Sequence, residues 1–212
     1  MGTKRVRDGD VYDPATGEWS ERWTTINIDN DTPDDEEVVT HSFPGNTIPR
    51  KTEKALNKQI QNEFYAAYLY LSMSIYCDKI GFKGIASWLS VQSAEEISHA
   101  NKLIQYMQDR FSDINLKQIW EPPAHFGSLL DLFNKAFDHE NKNTESFQVI
   151  LGIALSEADF ATAAFLQWYI LEQVEEERIV GDVLERLKIW GVEDKDKSAL
   201  LLLDQELGNR TK

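Results

Sequence analysis

Four glutamates and one histidine fall where an apolar residue is expected. Glu63 interrupts a series made of Leu56, Ile60, Ala67, Tyr70 and Ser74. Glu96 and His99 interrupt Ile85, Leu89, Gln92, Leu103 and Tyr106. Glu140 sits among Leu130, Phe133, Phe137, Thr144, Phe147, Leu151 and Ala154, and Glu176 among Thr162, Leu166, Tyr169, Gln173, Val180, Val183 and Leu187. The alternating four-three spacing is that of a helix seam turned inward. Buried carboxylates without compensation cost several kcal/mol per ion. No lysine or arginine stands in a seam beside them, so the sequence offers no internal counter-charge. Divalent or trivalent cations would supply it, and carboxylate plus imidazole is a fitting ligand set for first-row metals. Glu96 and His99 are three residues apart and therefore share one helix face.

These residues need long helices at matched depth. The pattern predicts helices over about 52–79, 83–110, 128–155 and 160–189, with a short fifth over about 198–208. Gly81 and Gly84 separate the first two, Asp159 suits an N-cap for the fourth, Gly191 its end, and Ser198 an N-cap for the fifth. Each long helix is ~42 Å in length, and each glutamate lies within ~4 Å of its helix's midpoint. One seam glutamate read by itself is a snorkelling side chain or an error of offset. Four at one depth form a layer. The first and second helices, and the third and fourth, are joined by short links and must be antiparallel. FSDINLKQIWEPPAHFG, between the second and third, can stretch ~55 Å and run the length of the bundle. The expected fold is all-α: a four-helix bundle with one long crossover and a short fifth C-terminal helix.

The 212 residues carry a net charge of −14, which argues against a nucleic-acid partner, since phosphate contacts need a basic face and none is evident in the sequence. Cys77 is the only cysteine, which rules out a disulfide scaffold, a thiolate zinc site and an iron–sulfur cluster. No secretory leader or membrane-spanning run is present, so the expected location is the cytoplasm. Three segments are expected: an acidic N-terminal extension over 1–48, the bundle over 49–190, and a short C-terminal helix and tail over 191–212. The extension has four basic residues and eleven acidic ones. RWTTINI alternates like a strand, but an isolated hairpin is marginal in water. A mobile arm is therefore the preferred expectation there and a docked hairpin the alternative.

The layer matches only in part the carboxylate bundle that holds two irons with one glutamate from each of two helices and Glu-x-x-His from each of the others. Glu96-Ile97-Ser98-His99 is one such motif, whereas Ile179 stands three residues after Glu176. That asymmetry, with the strings LNKQIQNEFYAAYLYLSM, AEEISHA, DHE and FLQWYILEQVEEE, resembles the bacterial and archaeal non-haem ferritins over residues from about 52 to 210. The resemblance implies an iron-storing cage of 24 copies that oxidises Fe(II) with O2 or H2O2. It implies a first iron site at Glu63, Glu96 and His99. A second is bridged by Glu96 and completed by Glu140 and Glu176, with Gln173 adjacent. A third, weaker site takes Glu95, Glu172 and Glu175 and shares Glu176. Tyr70 resembles the family's redox tyrosine and Trp168 a nearby electron-donating tryptophan, although core packing explains Trp168 equally.

Haem binding in a related family needs a second Glu-x-x-His and a methionine after the bridging glutamate; Ile179 and Ile97 stand there, so haem is not expected. Cys77 reads as a buried inert thiol, His41 and His125 as solvated, His139 as lying off the seam, and Met73 and Met107 as packing. Leu200–Leu203 is expected against neighbouring subunits. An alternative use is a ferritin shell serving as carrier or display scaffold, with the extension as its functional part and the partner unknown.

Overall fold

The protein is described by a computed structural model over residues 3–13, 18–27, 47–189 and 197–209. It divides into two compact units, 1–42 and 43–212.

In the first unit, β1 (Thr3–Asp13) pairs antiparallel with β2 (Glu18–Asn27), from Thr3 opposite Asn27 to Asp13 opposite Glu18. These residues thus form a hairpin. The alternation of β2 was legible, but β1 was not, because Asp8-Gly9-Asp10 resembles a turn. The pairing instead shifts register between Arg7 and Gly9, a bulge that absorbs the extra residue. The acidic stretch 29–37, His41 and Gly191 lie outside the described residues.

The second unit is all-α. Its helices are α1 (Arg50–Lys79), α2 (Lys83–Asp109), α3 (Leu129–Ser156), α4 (Phe160–Ile189) and α5 (Lys197–Gly208). Their order and extent follow the seam pattern. Asp159 caps α4 as expected, accepting from the Thr162 backbone N–H at 3.2 Å. α3 opens with a capping box between Ser128 and Asp131. Ser198 is not an N-cap, since α5 begins one residue earlier. Gly84 is not a helix breaker either. It lies inside α2, where a Cβ would sit 1.7 Å from the backbone oxygen of Asp204, so its lack of a side chain lets α5 pack against α2. Gly81 does make the turn, at φ +97°.

Cross-helix partners give the directions. Thr52–Glu157, Gln59–Asn143 and Tyr70–Glu140 run antiparallel between α1 and α3. Ser93–Ala67 and Ser74–Ala86 do the same between α2 and α1, so α2 and α3 are parallel. The connection between them follows α1 along its length. Asn57 donates to the Asp113 carbonyl at 2.9 Å and accepts from the Asn115 N–H at 2.7 Å; Ser72 and Tyr76 donate to the carbonyls of Pro123 and Gly127. The single long crossover is therefore fastened as well as present.

The apolar core comes in two parts. One contains Met73, Leu89, Phe133 and Leu187, and the other Leu56, Leu103, Phe147 and Leu166. Two seams differ in detail from expectation: Met73 and Met107 are buried where Ser74 and Tyr106 were placed. On α3 the buried series is Leu129, Leu132, Phe133, Ala136, Glu140, Asn143, Phe147, Ile150 and Ala154. The three- and four-residue steps are interchanged there, which leaves Leu130, Phe137, Thr144 and Leu151 half-buried at the rim.

Candidate metal centre

A polar layer separates the two apolar clusters. Glu63, Glu96, Glu140, Glu176, His99, Gln173 and Tyr70 are all buried in it. α1 supplies Glu63 and Tyr70, α2 Glu96 and His99, α3 Glu140, and α4 Gln173 and Glu176. Glu63, Glu96 and His99 each offer one ligand atom, all within 4.8 Å of one another. His99 Nδ1 lies 3.5 Å from Glu63 Oε2 and 3.4 Å from Glu96 Oε2. His99, Glu172 and Glu176 form a second group on the same criterion, with His99 Nε2 3.9 Å from Glu172 Oε1.

The other candidates take different places. Glu140 belongs to neither group: Tyr70 donates its hydroxyl proton to Glu140 Oε1, and Gln173 Nε2 donates to Oε2 at 3.3 Å. Glu95 is half-buried and outside both groups. Glu175 is solvent-exposed, 3.7 Å from Arg178. Trp168 meets the His99 ring edge-on at 5.5 Å.

Four further polar side chains complete the layer. Gln59 donates to Glu63 Oε1 and to Asn143 Oδ1, both at 2.5 Å. Asn143 donates onward to Gln173 Oε1 at 3.4 Å. Gln92 donates to Glu176 Oε2 at 2.7 Å, and the Tyr169 hydroxyl to the His99 carbonyl at 2.8 Å. Gln59 stands one turn before Glu63, a same-face signal that was available in the sequence. Asn143 was hidden by the interchanged steps on α3.

Electrostatics explain what the layer lacks. Glu63 Oε2 and both carboxylate oxygens of Glu96 are buried without a hydrogen-bond partner. Burial, together with the charges of Glu140 and Glu63, raises the Glu96 carboxyl well above its usual range, against the pull of His99. Burial also raises Glu140, to about 7, with the Glu176 charge adding and the Tyr70 hydrogen bond opposing. Burial draws His99 down, but the Glu63 and Glu96 carboxylates beside its ring prevail and push it up to about 11. Protons are thus retained where cations would otherwise neutralise the layer. Orphaned carboxylate oxygens around one imidazole fit a hard or borderline cation.

A model of the ferritin-like domain matches residues 53–189. The chain belongs to the ferritin family. A bacterial non-heme ferritin of Campylobacter jejuni is 37% identical over 162 residues, spanning 76% of this chain and 95% of that one. A bacterial non-heme ferritin of Staphylococcus aureus is 35% identical over 158 residues, with 74% and 93% covered. The open-pore ferritin of the hyperthermophilic archaeon Archaeoglobus fulgidus superposes with a TM-score of 0.74 at 43% identity, covering 77% of this chain and 98% of its own. Residues 1–52 precede the matched range.

Proposed function

We propose that this ferritin stores iron by binding two Fe(II) ions side by side in the buried layer and oxidising them there. The observation that carries the reading is the Glu63–Glu96–His99 group, with its three buried carboxylate oxygens that lack hydrogen-bond partners. Glu96 bridges, because it alone joins a buried glutamate to a histidine one turn on. Glu63 and His99 hold the first ion; Glu140 and Glu176 hold the second, with Gln173 beside it. Tyr70 and Gln173 orient Glu140, while Gln59 and Gln92 orient Glu63 and Glu176. Such supports fix ligand direction and basicity.

Two Fe(II) give up one electron each to O2, which takes two protons and leaves as H2O2, or to H2O2, which is reduced to water. Ionised carboxylates favour the resulting Fe(III) over Fe(II), since the harder ion gains more from oxygen ligands. A third iron is held outside the pair by Glu95, Glu172 and Glu175, with Glu176 shared. The product is kept inside a closed shell of 24 copies in the cytoplasm, a particle of ~590 kDa at 24.4 kDa per chain. No haem takes part. Among the described residues no helix is long and apolar enough to cross a membrane.

Anaerobic Fe(II) titration followed by exposure to O2 tests the reading. Two ions per chain should bind tightly and be oxidised at once. Weak binding at scattered sites, with oxidation no faster than in buffer, would exclude it. The hairpin favours a second reading, in which the shell also carries its extension as a functional part.

A further inference from the structure

The ammonium of Lys102 rests on the face of Trp168, 3.1 Å from the ring centroid. Helical spacing sets this cation beside the outer acidic group. Lys102 follows His99 by three residues on α2, and Glu172 follows Trp168 by four on α4, so each pair shares a face. The ring that seats Lys102 also touches His99 edge-on, and His99 Nε2 lies 3.9 Å from Glu172 Oε1. Lys102 and Glu172 lie close enough for their charges to interact. A lysine near a half-exposed carboxylate would ordinarily pair with it, yet here the ammonium is on the indole and the outer group remains arranged for a cation.

We propose that Lys102 is a positioning residue for the carboxylates Glu172 and Glu176 of the outer group, and that Trp168 keeps its ammonium off Glu172. The charge has two seats. On the indole it weakens a divalent cation at the outer group only through space. On Glu172 it would replace that cation. The balance between the seats sets how readily an ion arriving by the outer group is held, and so how tightly it is bound relative to the inner pair. The inference rests on the reading of Glu63, Glu96, His99, Glu140 and Glu176 as the inner pair's ligands, and concerns only the third ion.

Two substitutions therefore act with opposite sign. Lys102→Met removes the charge and should tighten the third equivalent by about three- to tenfold, as expected for one positive charge near a divalent ion at a partly solvated site. Trp168→Leu removes the seat, lets the ammonium reach Glu172, and should weaken the third equivalent. The double variant should return to the affinity of Lys102→Met, because without the charge the seat is irrelevant. Lys102→Arg and Trp168→Phe, which keep a cation and a ring face, should stay near the parent.

Calorimetric titration of the assembled, metal-free protein with Zn(II), which does no redox chemistry, reads all five variants. Two tight equivalents should appear throughout; their absence from the parent protein would dismiss the inner-pair reading instead. With them present, an unchanged third equivalent in Lys102→Met overturns the proposal. So does a third equivalent that tightens in Trp168→Leu, or one in which Lys102→Arg behaves as Lys102→Met does.

Discussion

His99 Nδ1 and Glu63 Oε2 face each other at 3.5 Å across the contact of α1 with α2. Two residues 36 positions apart in the chain thus share one small volume, and both are buried. Burial draws the His99 imidazole down, but the carboxylates beside it prevail and push it up to about 11, so it keeps its proton in the metal-free protein. A cation would replace the imidazolium proton and bind both side chains.

Glu96 provides the sharpest test. It has two buried oxygens without hydrogen-bond partners and a histidine one turn away. Glu96→Ala should lower the initial rate of Fe(II) oxidation by about tenfold or more, since a bridging ligand has no substitute in the layer. The metal-free protein should remain folded and melt no lower, because an uncompensated buried carboxylate has been removed. Stopped-flow oxidation and calorimetric melting check the two halves. A near-parental rate would remove Glu96 from the bridging role.

A pH dependence follows from Glu140. Its carboxyl is raised from an ordinary 4.5 to about 7, chiefly by burial. Between those values the folded protein keeps a proton that the unfolded chain has released, so stability falls as pH rises through the window. The melting temperature of the metal-free protein should therefore drop from pH 5 to pH 7.5 more steeply in the parent than in Glu140→Gln. Saturating Zn(II) should reverse the sign of that difference, because the ion binds the ionised carboxylate and competes better as pH rises. Equal slopes in the two metal-free proteins would deny Glu140 this part.

How far the site could be read beforehand depended on which residues broke a pattern. Glu63, Glu96, Glu140 and Glu176 stood out because an acid in a seam violates the apolar period, and the matched midpoints placed them at one level. Tyr169 satisfied the period and Gln92, polar but uncharged, drew no notice in its seam, though their hydrogen bonds to His99 and Glu176 support the site. Asn143 required the correct choice between three- and four-residue steps on α3, and helix periodicity leaves that choice open when rim positions are themselves apolar, as Phe137 and Leu151 are. Gly84 misled for a related reason. A glycine near a helix start is locally indistinguishable whether it breaks the helix or receives a neighbour, and only the approach of Asp204 decides. The first strand was obscured by a bulge.

α5 is fixed to its own bundle by contacts that can be removed singly. Asp204 Oδ1 accepts from the Ile85 N–H at 2.8 Å, capping α2 from another helix, and Arg186 donates to Glu206 at 2.6 Å. Gly84→Ala would drive a methyl group into the Asp204 carbonyl and should displace α5, at ~2 kcal/mol or more. Asp204→Ala should cost ~1 kcal/mol by leaving a first-turn N–H without its acceptor. Leu203 of α5 is buried in the bundle's own core, whereas Leu201 and Leu202 are exposed on the single chain. Displacing α5 should therefore impair assembly, read by light scattering, more than oxidation, read per folded chain. Loss of oxidation with assembly intact would reverse that ranking.

Removal of the extension separates the two readings of function. The bundle unit secures its own first residues. The Ile48 N–H donates to Ser112 at 3.3 Å, Arg110 to the Thr47 carbonyl at 3.4 Å, and the Thr52 N–H to Glu157 at 3.0 Å. The family match begins only at residue 53. A chain starting at Thr47 should consequently keep its helical circular-dichroism signal, form the same large particle and oxidise the same two Fe(II) per chain, with melting shifted by no more than a few degrees. If iron uptake and assembly both survive, the extension serves something other than storage, and the carrier reading gains its first direct support. If oxidation falls while the particle still forms, the hairpin belongs to the route of iron or oxidant, and the bundle alone does not account for the activity.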